Sequence, residues 1–430
     1  MPEPRAVVVV TGSELVRGAR SDLNGPFLAQ ELLRLGLEPA EIVVVGDRPD
    51  ELGRAVGRAL EADLAVFSGG LGPTHDDRTV ELIAHASGRR LVLVPELERE
   101  IEAVSRSVSE RLGRPYADFA PGVRKQASLP EGAVALGLAG TAPALLLEHE
   151  GRVVVALPGP PGELRRLWPN VLADPAFGRV VARAPRREHR VLRFFGPGES
   201  QVARALEEAG GDGEGVDVTV CARDLEIHVD LFVTTGGEAR ARALEDGLRE
   251  RFGHQLFAED ERPIEEIVLD LCRRQGLTLA TAESCTGGLV GARLTSIPGA
   301  SDVYAGGVVA YANAVKTEEL GVAPELLERH GAVSAETAAA MAAGARTALG
   351  AQVGLAVTGV AGPGGGTPEK PVGLVHLCVS SGEGELAQRL ELPGEREAIR
   401  VRAAVAVLHL LRRLLSQSAT DSARSGHTQA

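Results

Sequence analysis

The chain has 430 residues, enough for two to four domains, with 44% hydrophobic and 24% charged residues, the balance of an ordinary globular protein. Its net charge of −13 excludes a broad basic surface for nucleic acid, which needs clustered Lys and Arg, but leaves room for a small basic pocket. Cys221, Cys272, Cys285 and Cys378 include no C-x-x-C pair, no apolar run of about 18 residues marks a membrane span, and the opening MPEPRAVVVV carries no basic leader, so a reduced, cytoplasmic protein without structural zinc is expected. Aromatic residues make up only 3%, so the cores must be built from Ala, Val and Leu.

In chain order, residues 1–172 alternate between two periods. Strand-like apolar runs at 6–10, 42–45, 64–67 and 91–94 are separated by helical stretches at 27–35, 51–60, 79–86 and 96–112. This βαβα order predicts an α/β fold: a doubly wound, mostly parallel sheet covered on both faces. Runs at 145–148 and 153–157 predict a hairpin added to it. Residues 173–257 read as a small α+β connecting module, with strands at 191–195 and 226–234, helices near 199–208 and 238–251, and no catalytic constellation. Residues 258–417 read as a third, α/β unit. Ile264, Ile267, Val268, Leu271 and Cys272 form a core-facing helical stripe. Strands are expected at 277–282, 307–312, 353–358 and 374–380, and helices at 289–295, 335–349 (with Ser334 as N-cap) and 396–415. The polar tail 418–430 is expected to be disordered.

Two groups of loops carry chemistry. SGGLGPTHDD (68–77) follows a strand and precedes a helix, the carboxyl edge where open α/β sheets bind ligands. Gly69, Gly70 and Gly72 let backbone N–H groups approach an anion, Thr74 lies within the loop, and Asp76 and Asp77 either hold a divalent metal or cap the next helix. Glu14, Asp22 and Asn24 after the first strand, and Pro158 and Gly159 in LPGPPG, converge on the same edge, and Lys125 in RKQA could meet a phosphate or simply be solvated.

GSEL, SDLN, GGLGPTHDD, RKQA, GTAP and LPGPPGE, in this order, resemble the N-terminal domain of the CinA (competence/damage-inducible protein) family. That resemblance implies a molybdopterin-binding-like fold and a metal-dependent ADP-ribose pyrophosphatase. The family usually reads GTEL, DTN and NRKQA, with Gly after GTAP. Here Ser13, Leu23, Val123 and Ala144 stand at those positions, and Gly137 lies where an Asn is common. The loss of two polar side chains leaves a second reading open: a non-catalytic module that binds a pterin or a nucleotide.

The second group begins with TAESCTGG (281–288), which follows a strand and opens a helix. Ser284 sits where a serine nucleophile belongs, the N–H groups of Cys285, Thr286 and Gly287 are candidates for an oxyanion hole, and Gly287 and Gly288 clear space. Cys285 is a rival nucleophile, but with no His or Arg nearby in sequence it reads as buried and inert. Lys316 is the candidate base if burial lowers its pKa, with Tyr311 to relay or orient the proton and Asn313 close by. In VTGVAGPGGG, Thr358 can donate to the substrate or to Ser284, and Gly359 and Gly362 can wrap a phosphate or an amide; Arg396 and Arg400 can supply charge to a phosphate. Taken singly, these are a capped turn, a solvated lysine, a half-packed tyrosine and surface arginines. Together TAESCTGG, PGAS, GGVVAYAN with Lys316, GAVSAETA, VTGVAGPGGG and PGEREAIR closely resemble the C-terminal nicotinamide-nucleotide amidase domain of the CinA family. The resemblance implies hydrolysis of nicotinamide mononucleotide to nicotinate mononucleotide and ammonia without a cofactor, with Glu283, Thr286, Ser334 and Thr358 among the site residues. Small nucleotides are the expected partners, nucleic acid and membrane are not, and a homodimer is expected.

Overall fold

The computed structural model describes residues 3–425, with side chains described as far as Ser416. The chain divides into two units, Met1–His189 and Arg190–Ala430.

The first unit is built on a six-stranded sheet in the spatial order Pro39–Val45, Ala6–Thr11, Leu64–Ser68, Arg152–Leu157, Pro143–His149, Val134–Leu138. The first four strands run parallel and the last two antiparallel. Ala6–Thr11 is buried at every residue, so both of its faces can be apolar, and this is why its sequence is a run of valines rather than an alternation. Separate apolar clusters pack on the two faces, one around Val9, Phe67 and Leu145, the other around Val8, Val66 and Trp168. Burying each such valine contributes about 1.5–3 kcal/mol. Two expectations shift. The first long helix starts at Asn24 rather than at 27, because Asp22 accepts the N–H groups of Asn24 and Gly25 and caps it. The 91–94 run leaves the main sheet: Leu91–Leu93 pairs antiparallel with Ser128–Pro130 in a two-stranded ribbon.

The second unit holds two sheets. The smaller is ordered Val216–Arg223, Glu226–Val233, Glu188–Phe195, Leu256–Ala258, with helices Glu199–Glu208 and Glu238–Phe252. Strand Val216–Arg223, absent from the sequence reading, pairs along its whole length with Glu226–Val233 through a turn in which Asp224 and Leu225 adopt positive φ, as a two-residue hairpin turn requires. The larger sheet is ordered Tyr304–Val309, Leu279–Glu283, Val353–Gly359, Leu374–Ser380, Glu385–Glu391. The first three strands are parallel and the last two antiparallel. Helices Ile264–Gln275, Leu289–Thr295 and Arg396–Ser425 cover one face, and Asn313–Leu320 and Ala335–Leu349 the other.

That second face is lined by alanines: Ala280, Ala282, Ala338, Ala342 and Ala356. Small side chains bring the layers close. A Cβ on Gly344 would lie 2.1 Å from the Leu320 carbonyl oxygen, so helix Ala335–Leu349 abuts helix Asn313–Leu320 backbone to backbone. On the opposite face the last helix continues to Ser425, past the expected end at Leu415, and of the tail expected to be disordered, residues 426–430 lie outside the described residues. His409 of that helix, wholly buried, stacks on Phe195 at 3.9 Å and meets Phe257 edge-on, while its Nε2 lies 2.8 Å from Glu226 Oε1. This contact ties the smaller sheet to the larger. No helix among the described residues is long and apolar enough to cross a membrane.

Candidate active site

Ser284 is the first residue beyond strand Leu279–Glu283, the second strand of the five. Its N–H donates to the Val357 carbonyl on the neighbouring strand at 2.9 Å. The chain then turns sharply through Gly287 and Gly288, at φ 62° and 93°, values that favour glycine. Glu283 holds this turn from beneath. Its carboxylate, 2% exposed, accepts the N–H groups of Gly288, Val290 and Gly291 at 2.8–3.0 Å. Glu283 is therefore a cap for the short helix Leu289–Thr295, which corrects its assignment as a substrate contact.

Lys316 lies on helix Asn313–Leu320 and is 1% exposed. Its Nζ is 3.2 Å from Ser284 Oγ, 2.7 Å from the Ala310 carbonyl oxygen and 3.3 Å from that of Tyr311. Burial pushes its pKa below the ordinary lysine value, opposed by the neighbouring Cys285. Nζ thus faces three oxygens; as a neutral amine it would donate to the two carbonyls and turn its lone pair to the serine hydroxyl.

Other residues sit differently from expectation. Tyr311 is 61% exposed, and its hydroxyl accepts from Arg396 Nη2 at 2.9 Å; only its backbone carbonyl meets Lys316, so the side chain is not a relay between Lys316 and Ser284. Thr358 donates to the Ala332 carbonyl at 2.6 Å rather than to Ser284. Ser334 accepts the Thr337 N–H and is the N-cap of helix Ala335–Leu349, not a substrate contact. The Gly287 N–H is spent on the Ser284 carbonyl at 3.2 Å, which leaves Cys285 and Thr286 as the N–H groups of the turn with no oxygen acceptor among the described residues, both of them facing the Cys285 sulfur. The Cys285 thiol is buried, and burial pushes its pKa up to about 12, so it is inert as a nucleophile. Gly359 and Gly362 are required by packing: a Cβ would come within 2.7 Å of the Leu374 carbonyl oxygen and 2.6 Å of a Val372 methyl. Arg396 donates to the Gly362 carbonyl at 2.7 Å, and Arg400 to the Thr286 carbonyl at 2.8 Å. Asn313 is exposed at the first turn of its helix. Thr286 Oγ1, which no motif singles out, is buried with no hydrogen-bond partner among the described residues.

In the first unit the strand ends enclose a cavity of about 660 Å³. Glu14, Asp22, Asn24, Gly69, Gly70, Gly72, Asp76, Asp77 and Gly159 all line it, as the sequence motifs imply. Thr74, Lys125 and Pro158 do not. Lys125 donates to the Thr74 carbonyl and so braces the loop instead of offering a free charge, while Thr74 Oγ1 bonds to both Asp76 and Asp77. The hydrogen bond from Thr74 lowers the pKa of Asp76. Thr11, Asp47, Gln126, Thr141 and Glu163 also line the cavity and were missed; Gln126 and Thr141 stand inside RKQA and GTAP, where the signal was available. Burial raises the pKa of Glu163. Among the described residues no three His, Cys, Asp or Glu side chains come together as metal ligands; Asp76 and Asp77 stand as a pair beside Thr74.

Comparison with known proteins accounts for nearly the whole chain. Residues 7–177 match a probable molybdopterin binding domain, 189–258 the damage-inducible protein CinA KH domain, and 261–415 the CinA C-terminal domain. The CinA-like protein of Mycolicibacterium paratuberculosis is 43% identical over 433 residues, covering 96% of this chain and 99% of that protein. The CinA-like protein of Mycobacterium tuberculosis is 42% identical, covering 96% and 97%. Among solved structures, a competence/damage-inducible protein from Agrobacterium tumefaciens is 42% identical, with a TM-score of 0.35, covering 37% of this chain and 99% of its own. The chain is thus an α/β protein of three matched segments with a serine and a lysine paired at a strand end. It belongs to the CinA family.

Proposed function

We propose that the C-terminal site hydrolyses the carboxamide of nicotinamide mononucleotide to nicotinate mononucleotide and ammonia. The observation that carries this reading is the 3.2 Å approach of the buried Lys316 amine to Ser284 Oγ. Neutral Lys316 takes the hydroxyl proton as Ser284 attacks the carboxamide carbon. The N–H groups of Cys285 and Thr286 receive the oxyanion. The protonated amine then returns its proton to the departing nitrogen, so ammonia leaves and an ester to Ser284 remains. Water, deprotonated by the same amine, cleaves that ester, and the serine regains its proton. The family resemblance supplies the identity of the amide; the geometry supports the nucleophile and the base. The test is ammonia release from nicotinamide mononucleotide by the full chain. Ser284→Ala should lower kcat by about 1000-fold or more. A variant that keeps near-full rate removes the nucleophile from this scheme.

For the N-terminal unit we propose nucleotide binding in the 660 Å³ cavity, which is of ordinary size for a small-molecule site. Cleavage of ADP-ribose is the activity to assay there, with and without chelator. A ligand-induced rise in melting temperature without turnover supports a binding module instead.

A further inference from the structure

The cavity of the N-terminal unit is lined by the carboxylates of Glu14, Asp22, Asp47, Asp76, Asp77 and Glu163. The four aspartates are committed to their own loops. Asp22 accepts the N–H groups of Asn24 and Gly25, Asp47 that of Ser13 and Asp77 that of Thr74, while Asp76 accepts the Thr74 hydroxyl. Glu14 is exposed. Glu163 differs from all of these. It is half-buried, and its carboxylate makes no hydrogen bond or ion pair within the described residues. Arg166, the charge that acts on it, spends its guanidinium on the Gly162 and Ala139 carbonyls instead.

Nor is Glu163 a helix cap. It is the third residue of helix Pro161–Leu172, where a glutamate ordinarily reaches back to the N–H of the N-cap. The N-cap here is Pro160, which has no N–H to offer. The carboxylate lies against Gly140 instead: a Cβ there would come 2.4 Å from Oε1 and 2.7 Å from Oε2. The glycine of GTAP is therefore what makes room for it. Burial raises the Glu163 pKa, so the ionised group is held at a cost that hydrogen-bond donors from a ligand would remove.

The neighbouring loops say which donors. Gly70, Leu71 and Gly72 line the same cavity, and no carbonyl among the described residues accepts their N–H groups, an arrangement that suits a phosphate. Gln126 ties this loop to the next, donating to the Leu71 carbonyl at 3.1 Å and to Thr141 Oγ1 at 3.4 Å, and Thr141 adjoins Gly140. Glu163 thus stands about one side chain away from the glycine loop, as the sugar of a nucleotide stands next to its phosphate. An ionised carboxylate only accepts, and a ribose cis-diol offers two adjacent hydroxyl donors. Acidic side chains hold ribose hydroxyls in this way in dinucleotide-binding folds.

We propose that Glu163 is the ribose-reading residue of the N-terminal cavity, its carboxylate accepting the 2′- and 3′-hydroxyls of a nucleoside 5′-phosphate. The ligand class is a ribonucleotide, in preference to a deoxynucleotide or to a pterin without a sugar. This deepens the nucleotide-binding reading of the cavity and rests on it.

The test is calorimetric binding of adenosine 5′-monophosphate, its 2′-deoxy and 3′-deoxy analogues and guanosine 5′-monophosphate to the full chain, to Glu163→Leu and to Glu163→Gln. None of these probes carries a carboxamide, so the C-terminal chemistry stays silent. In the parent each missing hydroxyl should weaken binding by roughly 10–100-fold, the usual worth of a hydrogen bond to a charged group. In Glu163→Leu the three adenosine probes should bind alike. Glu163→Gln keeps the shape and one acceptor oxygen and should fall between, which guards against a leucine variant that fails to fold. A deoxy penalty of the same size in the parent and in Glu163→Leu overturns the proposal. So does a preference for guanosine over adenosine monophosphate that depends on Glu163 while the hydroxyls do not matter. A parent that binds all four probes equally sinks the ribose assignment and leaves nucleotide binding in place; a parent that binds none of them sinks both.

Discussion

In the proposed scheme, burial is what turns the common side chain of Lys316 into a reagent. In water its amine would be charged at neutral pH and useless as a base. Enclosed at 1% exposure and facing two carbonyls, it has its pKa lowered from 10.5, chiefly by desolvation. Activity should therefore climb with pH as Lys316 loses its proton, with a midpoint below 10.5. Lys316→Arg, whose guanidinium stays protonated, should be inactive throughout. A profile of kcat/KM from about pH 6 to about pH 10 checks this, and a flat profile removes the base from the scheme. Thr286 offers a second check at the same scale. A buried hydroxyl without a partner costs about 1–3 kcal/mol. Thr286→Val should raise the melting temperature, and it should lower kcat if that cost is held for the substrate. A lowered melting temperature would mean that the hydroxyl has a structural role after all. Ser284 and Lys316 were legible because each follows an apolar strand at its carboxyl end. Their separation of 3.2 Å was not, since nothing in a linear text fixes the angle between a strand end and a helix 32 residues away. Tyr311 was misassigned for the same reason: its position near Lys316 was right, but its side chain points to Arg396.

Among the elements, the last helix does more than close the larger sheet. Through His409 it grips the smaller one, and this grip is sensitive to acid. Burial lowers the His409 pKa below 6.5, against the opposing hydrogen bond that His409 donates to Glu226, with Arg412 and Arg293 adding to the lowering. Glu226 is pushed up by burial, but hydrogen bonds from His228 and His409 prevail and bring it from 4.5 to about 2. The signs follow by linkage. The unfolded chain protonates His409 first, so stability falls as pH drops below 6.5. The stabilisation from Glu226 is complete above 4.5 and is lost as pH falls towards 2. His409→Phe keeps the ring contacts with Phe195 and Phe257 but cannot be protonated. Its melting temperature should decline less steeply between about pH 7 and about pH 5 than that of the parent. Equal slopes would place the acid sensitivity elsewhere. The alternation in VDVTVCAR is a readable strand signal, masked by the irregular Gly210–Gly215 loop that precedes it. The ribbon strand Leu91–Leu93 failed in the opposite way. Its residues are apolar enough for a core, yet Leu91 is 42% exposed, because composition over three residues does not say which sheet a strand joins.

For the whole molecule, composition foretold the kind of core more reliably than its partition. So few aromatic residues imply tight, aliphatic layers, and the alanine-rich face of the larger sheet is one. The βα alternation carried the parallel strands of both units, since buried parallel strands read as plain apolar runs. Strand order depends on which crossovers pack, and that is decided by contacts far apart in the chain. One such contact has a chemical reach. Helix Ala335–Leu349 can lie against helix Asn313–Leu320 only because position 344 lacks a side chain, and the shorter helix is the one that delivers the lysine. In the proposed scheme the placement of the base thus depends partly on a missing methyl on a neighbouring rod of the scaffold. A single carbon added there would act as a wedge, spoiling reactivity from a position that never meets the substrate.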